Sequence, residues 1–140
     1  MKLGRDVVVR AYDPESFETL IDDLLKEIEL RNYRVTRVNH IDNVREQTER
    51  DIRFEVPFDR YKIIEFCNLS SCAELISANL LGGVFMPVRF IAWRLAGERR
   101  AYVAFLRPTA FAGLFDSPAL ARVAAELEGD MHDVLQEVDF

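Results

Sequence analysis

Apolar residues recur along this chain with two different periods, and the switches between those periods predict the order of its elements. Val7, Val8 and Val9 followed by Ala11 and Tyr12 form a short β-rich run, read as a first strand. Asp13 offers a helix N-cap with Pro14 in the first helical position. Beyond it Phe17, Leu20, Ile21, Leu24, Leu25 and Ile28 keep the i, i+3, i+4 spacing of one buried stripe, with Asp22, Asp23, Lys26 and Glu27 opposite. Asn32 is the stop, and the β-branched and aromatic run 33–41 predicts a second strand. Residues 43–53 are polar and free of Gly and Pro, which suits a short exposed helix ending before Pro57.

Tyr61 to Cys67, Y-K-I-I-E-F-C, is apolar enough for an interior strand. A second buried helix is expected from Leu69 to Leu80, with Cys72, Leu75, Ile76 and Leu80 on its stripe and Gly82-Gly83 closing it. Two caps compete for its start: Ser71 with Glu74 in a capping box, or Asn68 one turn earlier. Val88 to Leu95 and Arg100 to Leu106 flank a short Gly-containing turn, the pattern of an antiparallel hairpin. Pro108 stops the last strand, and a helical turn through Phe111, Leu114 and Phe115 follows. Ser117-Pro118 then starts a final helix that buries Leu120, Val123, Ala124, Leu127, Met131, Val134, Leu135 and Val138. The closing hairpin argues against a doubly wound parallel sheet. The fold class is α+β: a single domain with a mostly antiparallel sheet of about five strands and helices packed against it.

Composition narrows the function classes. In 140 residues, 49% are hydrophobic and 30% charged, enough for one globular core. A net charge of −6 argues against nucleic acid, and the arginines at 45, 50, 53 and 60 are interleaved with Glu46, Glu49, Asp51, Glu55 and Asp59. No run approaches the roughly 18 apolar residues of a membrane span, and the first residues lack the apolar core of a signal peptide. A cytoplasmic location with no membrane partner is the expectation. Gly82-Gly83 follows a helix rather than a strand, so no phosphate-binding glycine loop is present.

The chemistry-bearing residues are few. Cys67 and Cys72, in E-F-C-N-L-S-S-C, are the only cysteines, and with His40 and His132 they are the Cys and His residues open to a zinc site. The C-x4-C spacing is outside the usual x2 knuckle but tolerated, while the placement of Cys72 on a buried stripe and of His132 off one tells against joining the four, so no metal or cofactor is expected. His132 pairs more simply with Glu128 one turn before it. Cys72 reads as helix core beside Leu75 and Ile76. Cys67 ends a strand just before a helix with Asn68 as a possible cap. The helix's positive end favours a thiolate there, and Glu65, two residues back on the same face, opposes it. Arg89 starts an otherwise apolar strand and shares a face with Ile91 and Trp93; Glu65 is its natural partner if the two strands are neighbours.

Three stretches carry a resemblance: Y-K-I-I-E-F-C-N from Tyr61, S-A-N-L-L-G-G-V-F-M-P-V-R-F ending at Phe90, and the hairpin closing on L-R-P at Pro108. Together they resemble the domain-of-unknown-function family 302 (DUF302) of small bacterial and archaeal proteins. The L-F-D-S-P-A-L stretch from Leu114 resembles a segment of one branch. The resemblance implies an α+β fold and a homodimer, and it implies no established activity. Val88 stands where many relatives carry the cysteine of Pro-Cys-Arg, and Arg107 where they often carry Asn. Both departures tell against any mechanism that needs two thiols at that site, and a Cys67–Cys72 disulfide is expected only as a stress-induced state.

The leading expectation is therefore a binding or accessory domain, homodimeric and without an identifiable catalytic constellation. Its candidate site is a small-ligand or anion groove at a strand–helix junction, formed by Glu65, Cys67, Asn68 and Arg89. The alternatives are a thiol-dependent sulfur carrier or redox accessory using Cys67, and a protein–protein interaction module.

Overall fold

In a computed structural model that describes residues 2–138 and 140, five strands form one sheet with every neighbouring pair antiparallel. A four-residue helix α1 (Leu3–Asp6) precedes β1 (Val7–Tyr12). Helix α2 (Phe17–Leu30), β2 (Arg34–His40), the short α3 (Val44–Glu49) and β3 (Phe58–Cys67) follow. Helix α4 (Leu69–Ala78) and a 3-10 helix (Leu80–Phe85) lead to the hairpin β4 (Val88–Leu95) and β5 (Ala101–Leu106), whose turn uses Gly97 at φ 79°. Helices α5 (Pro108–Ala112) and α6 (Pro118–Glu137) complete the chain. The strand order is β1-β5-β4-β3-β2. The architecture is the expected α+β one.

Strand alternation sorts the sheet into two faces. Ile64, Phe66, Val88, Phe90, Ala92, Ala101, Val103 and Phe105 are buried on one, in a single core with the stripes of α2 and α6. Both stripes follow the predicted spacing, with Leu25 only partly buried at the margin of its own. The other face lies outside this core. It carries a row of rings, Tyr61 beside Trp93 at 6.4 Å and Trp93 beside Tyr102 at 5.4 Å, extended through Phe58 to Phe54.

Several local expectations are corrected. Helix α2 is capped by Ser16, whose Oγ accepts the Thr19 N–H at 3.1 Å, and not by Asp13. The extended segment after β1 continues to Ser16, which supplies the cap, and Asp13 pairs with Arg99 at 3.2 Å instead. The capping box at Ser71 and Glu74 does not form. Asn68 caps α4, and Glu74 reaches Arg122 of α6 at 3.3 Å.

The predicted stripe of α4 is also narrower than expected. Leu75 is buried, while Ile76 is 41% and Leu80 84% exposed. Asn79, with extended backbone, ends the helix and puts Leu80 out of phase with it. Nor do the two glycines simply close that helix. They sit inside the 3-10 helix, where a Cβ on Gly82 would lie 2.8 Å from the Leu75 carbonyl oxygen. Glycine is required there by close backbone approach. Gly83 is different: a Cβ would meet only Ile76 Cγ1, at 3.9 Å.

Candidate functional site at the junction of β3 and α4

The sequence E-F-C-N-L-S-S-C builds its own junction. Asn68 leaves the strand with extended backbone, and its Oδ1 accepts the Ser71 N–H at 3.2 Å, so Leu69 is the first helical residue. With that cap, Cys67 takes the N′ position and Cys72 the N4 position. These are the two places whose side chains meet in a hydrophobic staple. The spacing C-x4-C is therefore the spacing of a staple, filled here by two sulfurs. Both cysteines are free and half-buried. Burial, first, and then the adjacent Cys67 sulfur hold the Cys72 thiol above its ordinary range. Cys72 lies against Cys67 and is not enclosed in the core as expected.

Asn68 is fully employed in holding this corner. Its Nδ2 donates to the Asn32 carbonyl at 3.0 Å, and Asn32 is the left-handed residue (φ 64°) that turns the chain from α2 into β2. One amide thus ties two turns together, and Asn68 serves as a wall rather than a free ligand group.

A groove of about 370 Å3 opens here, lined by Asn32, Arg34, Thr36, Cys67, Asn68 and Cys72 among others. Arg34 stands directly across from Cys67 in the β2–β3 register. It is the one charged lining residue, and it makes no ion pair among the described residues. Beside it the β2–β3 register shifts between Val35 and Arg37, and Thr36 in that bulge donates to the Glu65 carbonyl at 3.2 Å. Of the four predicted site residues, only Cys67 and Asn68 line this groove.

Glu65 and Arg89 face each other across β3 and β4, with a loose contact of 4.0 Å. The expected pair is formed. Arg89 lines a neighbouring cavity of about 320 Å3 with Val84, Phe85, Pro87, Leu106 and Phe111. Val88, beside it, is buried on the core face opposite Phe66. The other histidine and cysteine ideas fall apart in space. His40 lies at the far end of β2, and His132 packs edge-on against Phe105 at 5.2 Å. Glu128 is taken by Thr109 and Arg107, not by His132. Among the described residues, no cluster of three or more His, Cys, Asp or Glu side chains could hold a metal, and no helix is long and apolar enough to cross a membrane.

Reasoning from sequence missed Arg34, because its position beside Cys67 depends on a long-range register that β2 alone does not display. It also missed the joining of the two thiols, although counting from Asn68 as the cap would have found it.

Comparison with known proteins gives a consistent picture. A family model described as "Domain of unknown function DUF302" matches residues 8–138. A solved structure described as an uncharacterized conserved protein DUF302 from Bacillus stearothermophilus superposes with a TM-score of 0.82 at 20% identity, covering 96% of this chain and 99% of that one. At that identity the likeness shows the fold. No curated protein matches.

Proposed function

This chain belongs to the DUF302 family, a family defined without an assigned activity, and we propose from its own geometry that it is a homodimeric accessory domain that binds a small anion in the β3–α4 groove. The observation that carries this reading is Arg34, a cation without an ion-pair partner among the described residues, lining a groove of about 370 Å3. The first turn of α4 adds N–H groups that have no acceptor inside the helix. Sulfate, phosphate and small carboxylates are the probes. At about ten times its dissociation constant, a bound anion is expected to raise the melting temperature by roughly 4–8 °C. Arg34→Ala abolishes the shift. If Arg89→Ala abolishes it instead, the anion belongs to the neighbouring cavity, and no shift with any probe removes the anion reading.

The dimer reading rests on the face of the sheet outside the core. Strands spaced about 4.8 Å apart and about 20 Å long present a plane of roughly 500 Å2, which surface relief raises toward the about 800 Å2 per partner of a standard interface. Its middle carries Ile63, Ile91, Tyr61, Trp93 and Tyr102, with Val9 more than half exposed toward one edge. A second copy would cover these residues by pairing like faces about a two-fold axis. Sedimentation at micromolar concentration is expected to give a dimer for the wild type and a monomer for Ile91→Asp. A wild-type monomer would end the proposal. The thiol-dependent reading keeps a place because of one specific observation, the contact between Cys67 and Cys72 at the groove.

A further inference from the structure

We propose that Cys67 and Cys72 act together as a dithiol that exchanges with a small anionic disulfide, Cys67 attacking first and Cys72 resolving. The reagent's place in the groove rests on the anion reading above; the chemistry of the two sulfurs rests on their own juxtaposition.

Four observations converge. The Asn68 cap puts the sulfurs at N′ and N4, the two positions whose side chains meet across the first turn of the helix. Both thiols are free and half-exposed, whereas a structural staple would be dry and inert. They share a groove large enough for a small molecule. Arg34 faces Cys67 across the strand pair, where a guanidinium can hold a carboxylate-bearing reagent. The second thiol comes from the helix, so Val88 on β4 is no obstacle.

The exchange balances without any further reactant. Cys67 gives its proton to solvent, and its sulfur attacks one sulfur of the disulfide, forming a mixed disulfide and expelling the first small thiolate. Cys72 then loses its proton and attacks Cys67 Sγ, closing the Cys67–Cys72 bond and expelling the second thiolate. The protein dithiol is oxidised, the small disulfide is reduced to two thiols, and a reducing thiol runs the sequence backwards. The Cys72 thiol is held up partly by the Cys67 sulfur beside it. That contribution is lost once Cys67 is in a mixed disulfide, which frees the resolving step to follow the attack and not precede it.

The test uses the intact chain under native conditions with two disulfide reagents, the dianionic 5,5′-dithiobis(2-nitrobenzoate) and the neutral 4,4′-dithiodipyridine. The expected result is release of both halves of one reagent per chain, with a protein lighter by two hydrogens, monomeric in covalent terms and restored by dithiothreitol. Cys72→Ser is expected to retain one adduct on Cys67, and Cys67→Ser to react roughly ten-fold more slowly than the wild type. Far-UV circular dichroism establishes that both variants are folded. Stable adducts on both wild-type cysteines, a disulfide between chains, or labelling that waits for unfolding would each overturn the dithiol. Arg34→Ala is expected to slow the dianionic reagent on the order of five-fold and leave the neutral one unchanged. If both reagents react with Arg34→Ala as they do with the wild type, the groove has no part in the step, while the two-sulfur exchange stands.

Discussion

Phe90→Ala is expected to destabilise the fold by about 3–5 kcal/mol, the cost of removing a large ring from a packed core and leaving a cavity. Phe90 is 0% exposed and lies on the middle strand of the five. Its ring contacts Phe66 of β3 at 5.1 Å and Phe105 of β5 at 5.6 Å, so one side chain joins three strands beneath the helices. No neighbour can collapse into the space, because those rings are anchored on separate strands. Urea denaturation should show a lower midpoint with an unchanged slope, the signature of lost stability without a change in exposed surface. Ile91→Ala, one residue along but on the other face, is the control and, at concentrations where the chain is monomeric, should cost less than half as much. Equal losses at the two positions would mean that the core is not confined to the helix-covered face.

The second large effect is alkaline. Tyr12 is 3% exposed, and its hydroxyl donates to the Leu135 carbonyl of α6 at 2.6 Å. Burial pushes its ionisation up to about 12, against a weaker opposite pull from Arg10. The unfolded chain therefore loses this proton near pH 10, while the folded chain keeps it. Between those values the unfolded state binds fewer protons than the native state, so stability falls as pH rises. The contribution is complete below pH 10 and is lost as pH climbs through about 12. A two-unit rise corresponds to about 2.7 kcal/mol, and screening by solvent brings the expected loss to roughly 1–2 kcal/mol. Tyr33, raised by burial and by the Asp130 carboxylate that its hydroxyl meets at 2.6 Å, adds to the loss in the same direction. Tyr12→Phe should lower stability at pH 7 by about 1–2 kcal/mol, since it leaves the Leu135 carbonyl without this donor. It should also flatten the decline between pH 10 and 12. An identical alkaline profile in the variant would refute the assignment.

What could be read in the sequence was whatever local periodicity and capping chemistry determine. The stripes of α2 and α6, the Ser117-Pro118 start and the Gly97 hairpin each depend on neighbours within a few residues, and each is found where expected. Element order then settled the antiparallel α+β class. Asp13 was misread because Ser16 carries a capping signal three residues on, and the choice between Ser71 and Asn68 stayed open because each carries one. The second choice mattered more than its size suggests, because moving the cap by one turn changes the partner of Cys72 from the core to Cys67. Arg34 and the separation of Arg89 from the groove were beyond local reading. Both follow from pairing between distant segments, and β2 carries a bulge that no sequence pattern announces.

The contrast between Gly82 and Gly83 sets the evolutionary latitude of this region. Because position 82 lies under the Leu75 carbonyl, nearly every substitution there forces α4 and the 3-10 helix apart, so selection on folding alone holds it to glycine. Position 83 meets only a side-chain carbon and can drift to alanine. Among related chains the first of two outwardly identical residues should be fixed and the second variable, and a sequence survey that weighed both glycines alike would mistake a packing constraint for a functional motif.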